Sequence, residues 1–166
     1  TDERAQRMLF SDEAMGEEKY ILYADLSNMD TGTSDFKFMD GKRVGVLMDT
    51  EPEIMLTEWE NKNGIHTEHV NVNNNDDVEK KLANHEIDAF VSLEESIWSE
   101  QGISSVTTIG KSGIYFAINK ERSDIKMELD YAMRKLDQDS PFFKADLYKK
   151  YFTLDYSQVL TGEEKS

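Results

Sequence analysis

Between Arg43 and Val91 short apolar runs alternate with segments of helical period, and this order restricts the fold more than any other property of the sequence. Val44-Gly45-Val46-Leu47 follows the polar Gly41-Lys42-Arg43 as a strand, and Asp49-Thr50 then meets Glu51-Pro52-Glu53 as a helix N-terminus. Ile54, Met55, Leu56 and Trp59 supply an apolar helical face that ends at Asn61-Lys62-Asn63-Gly64, with Gly64 suited to the position just past the helix. Ile65 to Val72 partly alternates, as a half-buried strand would, and Asn73-Asn74-Asn75-Asp76 is a turn and cap. Val78 and Leu82 mark a short helix, Ile87 to Val91 a buried strand, and Leu93 to Glu100 a short helix carrying Ile97 and Trp98. The order β-α-β-α-β implies a parallel sheet with right-handed helical crossovers. In open sheets of this kind ligands are held at the carboxyl ends of strands, so the turn at Thr50 is the first candidate site.

On either side of this body the pattern is weaker. Residues 3 to 8 read as one helical turn, Tyr20 to Ala24 as a strand, and Asp25 to Asp40 as a linker rich in turn-forming residues. Val106 to Ile109 reads as a short strand, Gly110-Lys111-Ser112-Gly113 as a turn, and Ile114 to Ile118 as a strand too apolar for a surface. A helix capped by Ser123 or Asp124 is expected to bury Ile125, Leu129, Met133 and Leu136, and a second begins after Ser140 with Pro141 in its first turn. Thr161 to Ser166 is a polar tail.

The 166 residues suffice for one domain or two small lobes. Lys plus Arg number 19 and Asp plus Glu 34, so a net charge of −15 argues against nucleic acid or an anionic membrane surface as partner. The absence of cysteine excludes a disulfide framework, a thiolate nucleophile and a Cys-type zinc site. No run approaches the roughly 18 apolar residues of a membrane span, and Thr1-Asp2-Glu3-Arg4 lacks the blocks of a signal peptide. The chain is therefore expected to be cytosolic or a piece of something larger.

Chemistry is scarce. His66 and His69, three apart in a strand, leave on opposite faces and cannot share a metal, and His85 sits at a helix end. Asp137 with Asp139 and Glu94 with Glu95 read as solvated surface. Asn73 to Asp77 lacks the spacing, the central glycine and the terminal glutamate of a calcium loop. Gly41-x-x-x-Gly45 precedes its strand and so is no phosphate cradle. Neither an enzyme nor a cofactor is expected.

Thr1-Asp2-Glu3-Arg4, Phe10-Ser11-Asp12, Gly41-Lys42-Arg43-Val44-Gly45-Val46, Ile87-Asp88-Ala89-Phe90 and Tyr115-Phe116-Ala117-Ile118-Asn119-Lys120, in this succession, resemble the bacterial extracellular solute-binding proteins of family 3. The resemblance covers about residues 1 to 152. It implies a periplasmic-binding-protein-like type II fold: α/β, a parallel-rich sheet with flanking helices, one complete lobe and a partial second one. Residues 1–25 would be a fragment of lobe one with the first hinge strand, 26–40 a linker, 41–111 the complete lobe two, 112–160 the second hinge strand with the return helices, and 161–166 the tail. Lys19 to Ala24 and Ser112 to Asn119 would be the hinge strands, with Tyr20, Tyr23, Gly113 and Tyr115 as hinge residues. Because the family's opening part of lobe one is missing, apolar faces and sheet edges would be uncovered, which predicts dimerisation or strand exchange.

The resemblance also assigns a site. Arg4 matches the arginine that pairs with a ligand carboxylate, and Asp49, Thr50, Ser92 and Glu94 would line the lobe-two side. The family usually has Gly-Thr where Asp49-Thr50 stands, and amino-acid binders place an aspartate where Leu93 stands. Asp49, Glu51 and Glu53 repel an anion, so the expected ligand is a cationic or neutral small polar solute, or none. The wording of the motifs looks closest to the extracytoplasmic sensory modules of membrane-bound histidine kinases or diguanylate cyclases, on the periplasmic face of the bacterial membrane. The alternative is the binding protein of an ABC-type amino-acid uptake system, and a remote one is an enzyme like cyclohexadienyl dehydratase.

Overall fold

The computed structural model describes residues 7–28, 32 and 35–152. By internal contacts the chain divides into two units, one of residues 18–112 and one of residues 1–17 with 113–166.

Unit 18–112 is built on a five-stranded sheet in the order β4-β3-β5-β2-β6. The strands are β2 (Gly16–Ala24), β3 (Arg43–Val46), β4 (Glu68–Asn71), β5 (Ala89–Leu93) and β6 (Ser104–Ile114). β3 runs parallel to β4, with Val44 opposite His69, and parallel to β5, with Val44 opposite Ala89. β2 is antiparallel to β5, pairing Tyr20 with Leu93 and Ala24 with Ala89. The crossovers carry α1 (Glu51–Asn63) and α2 (Asn75–Ala83), and α3 (Ile97–Glu100) follows β5. The mixed α/β architecture and the parallel body are those expected from the sequence.

The two helix boundaries read from the sequence are formed as the residue types require. Asn74 caps α2 by accepting the Asp77 N–H at 2.9 Å. Gly64 ends α1 at φ 64°, in the left-handed region, with its N–H on the Glu60 carbonyl. Two cores lie on the two faces of the sheet. Leu22, Met39, Val44, Val46, Leu56 and Trp59 belong to one, and Ile21, Tyr23, Val72, Val78, Phe90 and Trp98 to the other. In the second core Tyr23 stacks on Phe90 at 5.4 Å, and Phe90 meets Trp98 edge-on at 4.6 Å. Residues 26–40 contribute two short 3-10 turns, and Met39 from this stretch is fully buried.

Gly45 lets three neighbours close on β3. A Cβ there would stand 2.9 Å from Val72 Cγ1, 3.0 Å from Ile87 Cδ1 and 3.3 Å from Phe90 Cβ. Gly110 explains one departure from the sequence reading. Residues 104–114 are one continuous strand with no turn at 110–113, because the glycine admits the Met55 side chain of α1, whose Sδ would lie 2.3 Å from an added Cβ.

In the other unit, β1 (Met8–Phe10) and β7 (Ala117–Asn119) form a two-stranded antiparallel sheet, Leu9 opposite Ile118. Of the helical turn expected over residues 3–8, residues 3–6 lie outside the described residues, Arg7 is helical and Met8 already begins the strand. Ile114 to Ile118 is not one buried strand either: β6 ends at Ile114, and Tyr115 and Phe116 are exposed between it and β7. The helices are α4 (Ser123–Asp139) and α5 (Phe143–Phe152). α4 is capped at Arg122 instead of Ser123 or Asp124, and Arg122 holds the Asp124 carboxyl down to about 2. Of its expected inner face only Met133 is buried, while Ile125 and Leu136 are exposed, since two three-residue strands offer too little surface to cover a seventeen-residue helix.

Polar contacts hold this unit together instead. Ser11, nearly buried, gives its N–H to the Phe116 carbonyl at 3.1 Å, and its Oγ accepts the Phe116 N–H at 3.2 Å. Asp130, also buried, accepts the Asp12 N–H at 2.8 Å and the Lys126 ammonium at 2.6 Å, and Lys126 bridges on to the Asp12 carboxylate.

Gly45→Ala is expected to cost about 1–3 kcal/mol in urea unfolding, because Val72, Ile87 and Phe90 are all buried and their contacting atoms have little room to move. Lys126, then the Asp12 N–H, hold the Asp130 carboxyl below its usual range. A depressed carboxylate contributes stability above its unfolded value, about pH 4, and loses it as pH falls through the folded value. Protection of the Asp12 amide, corrected for its intrinsic exchange rate, is therefore expected to fall on acidification below that pH, and not in Asp130→Asn, where this linkage is already gone.

Candidate functional site

The sheet order places a site within unit 18–112. From β3 the chain crosses by α1 to β4 on one side, and from β4 by α2 to β5 on the other, so the crossover direction reverses between β3 and β5. Outside the carboxyl ends of two such strands the loops diverge and leave a crevice, the usual ligand position in open α/β sheets. Asp49 and Thr50 follow β3, and Ser92 and Glu94 lie at and beyond the end of β5. Since β3 and β5 are parallel neighbours, the four residues share one end of the sheet.

The β3 to α1 turn is tied by its own side chains. Thr50 sits extended at the N-cap, yet its hydroxyl donates to the Leu47 carbonyl and caps no helix N–H. Asp49 adopts φ 59°, a left-handed conformation that glycine prefers and aspartate tolerates. Its N–H donates at 2.7 Å to Glu53 Oε2, and the Met48 N–H donates at 3.2 Å to Asn71 Oδ1 from the end of β4. The Asp49 N–H first, and His69 second, hold the Glu53 carboxyl below its ordinary range. Glu51 accepts the Ser112 hydroxyl at 3.0 Å. Leu47, Met48 and Ile54 are exposed around this turn.

At the end of β5, Ser92 pairs with Ile21 in the sheet, and Leu93 and Glu94 are half-buried. The Glu94 N–H donates to the Lys19 carbonyl at 3.0 Å, and its carboxylate takes the Lys19 ammonium at 3.1 Å. The following Glu95 N–H donates at 3.1 Å to the hydroxyl of buried Tyr23, whose own ionisation burial pushes up. Asn75 reaches the Glu95 carboxylate at 3.0 Å. The end of the sheet is acidic, and the turn amides of Met48 and Asp49 already have acceptors.

Of the other residues singled out from the sequence, Arg4 lies outside the described residues. Tyr20 is half-buried, with its hydroxyl ionisation raised first by burial. Gly113 and Tyr115 are exposed in the other unit, where an added Cβ at Gly113 would meet the Tyr115 ring at 2.8 Å. Tyr23 is a core residue that also holds the loop after β5. The sequence reading missed the ties made by Asn71, Glu53 and His69. The signal was present in the spacing: Glu53 and Glu60, seven apart, fall on one face of α1, and His69 follows on the next strand. Among the described residues no group of three or more acidic or histidine side chains is placed to hold a metal, and no helix is long and apolar enough to cross a membrane.

Solved structures share this fold. The chain is similar to a probable amino-acid ABC transporter extracellular-binding protein from Bacillus subtilis, with a TM-score of 0.71 and 21% identity over 94% of this chain and 68% of that one. It is also similar to the second substrate-binding domain of a putative amino acid ABC transporter from Streptococcus pneumoniae (TM-score 0.63, 21% identity, 92% and 69% covered). An ancestral amino acid-binding protein, described as a precursor of cyclohexadienyl dehydratase, matches at a TM-score of 0.62 and 20% identity over 92% of this chain and 64% of that one. No curated protein matches the sequence. These likenesses establish the periplasmic-binding-protein-like fold. The family model that matches is the one described as NMT1/THI5 like, over residues 22–107, and these residues, which hold β3, β5 and both turns of the crevice, make the chain a member of the NMT1/THI5-like family.

Proposed function

We propose that this chain is the larger part of an extracytoplasmic solute-binding protein that takes a small polar solute, cationic or neutral, at the reversal point between β3 and β5. The observation that carries this reading is the coincidence of the two candidate turns with that point in a fold shared by proteins named as amino-acid binders. Binding proteins of this class act by differential affinity: a solute that prefers a closed form stabilises it, and one indifferent to both forms transmits nothing. The chain passes between its two units at 17/18 within β2 and at 112/113 within β6, and we assign the hinge to these two passages, beside Tyr20, Tyr23, Gly113 and Tyr115.

The chemistry of the proposed site supports a cationic or neutral solute. A carboxylate would meet Asp49, Glu51 and Glu53 at a helix N-terminus whose preceding amides are already bonded. Arg4 is the remaining candidate partner for an anionic group. Delivery to an amino-acid uptake permease is supported by the names of the similar structures. A second reading, a sensory module of a membrane-bound histidine kinase or diguanylate cyclase, is favoured by Leu93 and Asp49, which depart from the residues used to hold a free amino acid. An enzymatic role has little to support it, since the ancestral relative of the dehydratase is itself named as a binding protein. The sequence flanking this stretch in the parent gene separates the first two: a membrane span followed by kinase or cyclase motifs supports sensing, and a secretion signal with no following span supports delivery.

Thermal-shift screening of small cationic and neutral solutes is expected to find one that raises Tm. At a hundred times its Kd such a solute adds about 2.7 kcal/mol, a shift of several degrees, and a flat response to the whole panel counts against solute binding. Asp49→Gly with Leu93→Asp is expected to confer amino-acid-dependent stabilisation on the parent protein, and continued indifference to every amino acid rejects the site as mapped. Met127, Tyr131 and Phe142 are each more than 60% exposed in the unit of residues 1–17 and 113–166, and we infer that the 166-residue chain covers them by pairing with a second copy. Sedimentation equilibrium is expected to show a concentration-dependent dimer, and a clean monomer excludes it.

A further inference from the structure

Behind the β3 to α1 turn Thr67, Glu60 and His69 run in a row to Glu53, the one of the four that the proposed solute site also uses. His69 of β4 stands between two glutamates of α1, its Nδ1 3.3 Å from Glu53 Oε1 and its Nε2 3.3 Å from Glu60 Oε1. Glu60 is buried and fixed from behind, because its Oε1 accepts the Thr67 N–H at 3.0 Å and the Thr67 hydroxyl as well. Glu53 is half-buried, and its second oxygen carries the Asp49 N–H. The imidazole therefore stands in line between a buried carboxylate and the left-handed residue of the turn.

Both ring nitrogens face a carboxylate oxygen, yet a neutral imidazole has a single N–H. The doubly protonated ring donates to both glutamates. A singly protonated ring sets a lone pair against one of them, and burial decides which. A buried carboxylate stripped of a charged donor is costly, whereas a half-buried one can turn to water. The neutral ring thus keeps its proton on Nε2 for Glu60 and releases Glu53. The other groups around the ring do not supply a substitute cation. Val44 is opposite on β3, neighbouring Arg43 is engaged with Asp88 and the His85 carbonyl, and Glu68 beside it on β4 is exposed. Among the described residues neither Glu53 nor Glu60 forms an ion pair with a lysine or arginine.

We propose that Glu53, His69 and Glu60 form a proton-operated latch on the β3 to α1 turn: the doubly protonated ring holds Glu53 in place to clamp the Asp49 N–H, and loss of one proton frees Glu53 and loosens the turn. Glu53 is held below the ordinary carboxylate range, by the Asp49 N–H first and His69 second. A turn looser on the alkaline side makes any solute bound there pH-sensitive. That consequence rests on the turn being half of the solute site, but the latch itself does not.

The test needs no solute, so its failure is distinct from a failure of solute binding. In nitrogen-15 spectra recorded over a pH series, the Asp49 amide is expected to change with the same midpoint as the His69 ring nitrogens. Exchange of the Asp49 amide, corrected for intrinsic base catalysis, is expected to be about tenfold faster at the upper end, the loss of one hydrogen bond to a charged group. In His69→Gln the Asp49 amide no longer follows that midpoint. If that variant fails to fold, Glu53→Gln makes the same comparison, with the ring still titrating and the Asp49 amide uncoupled from it. An Asp49 amide indifferent to pH in the unaltered protein, or one that keeps the same midpoint in the variant, overturns the latch.

Discussion

The hydrogen bonding of β3 on both of its edges is the constraint on which the larger unit depends. A four-residue strand with parallel neighbours on either side is joined to them through crossovers, and here the one from β3 to β4 and the one from β4 to β5 run in opposite directions across the sheet. The register is pinned at the amino end, where Arg43 grips Asp88 with Nε and Nη2 at 3.1 and 2.8 Å while its N–H donates to the same carboxylate at 2.9 Å. That fork, more than any other contact, keeps the Asp88 carboxyl low. In the middle, Gly45 lets Val72, Ile87 and Phe90 meet over the strand. With its amino end clamped and its centre closely packed, β3 delivers its carboxyl end, and the turn after it, to a set position beside the end of β5.

What that position can bind is decided by which donors are left. A free helix N-terminus attracts an anion by about 0.3–1 kcal/mol at an exposed site, but here Glu51 and Glu53 occupy the first turn of α1, and Pro52 has no N–H to offer. Glu53 stands three residues after the cap, where a capping box would reach the N–H of the cap residue, yet it takes the N–H one residue earlier. The shift by one residue accompanies the left-handed backbone of Asp49, which turns its N–H toward the helix. The same device that stabilises the turn removes it as an anion cradle. The proposed preference for cationic or neutral solutes thus rests on local helix capping as much as on the overall charge.

The parts of this architecture legible in the sequence are those where local chemistry and tertiary contact agree. Asn74 and Gly64 mark helix ends by their own conformational preferences, and the β-α-β-α-β order survives because the runs of β3 and β5 are buried on both sheet faces while β4 is half-buried at the edge. The errors lie where packing overrides a local signal. Gly110 and Gly113 read as a turn, but in an extended strand the missing Cβ at Gly110 is space for Met55, information carried by α1 and not by the glycine's neighbours. The apolar period of α4 predicts a helix correctly and its burial wrongly, since burial depends on what lies opposite. At the candidate site the turn at Asp49 and Thr50 was readable as a strand end, Ser92 and Glu94 entered through the family resemblance, and the ties through Asn71, Glu53 and His69 cross between elements whose register no single sequence displays.

The two units are held by different physics. Residues 18–112 bury aromatic and aliphatic side chains on both faces of a five-stranded sheet, a source of cohesion that carboxylate protonation leaves intact. In the unit of residues 1–17 and 113–166 the buried apolar side chains among the described residues are Ile118 and Met133, and the buried polar ones, Ser11 and Asp130, tie the β1 end and the residues before β7 to α4. A two-stranded sheet is marginal in water, so this unit depends on a buried charge whose partners are one ammonium and one backbone N–H. Breaking such a cluster is costly because a charge is left behind, while its formation contributes less than apolar burial would. Local opening is therefore expected to begin in this unit before the five-stranded one.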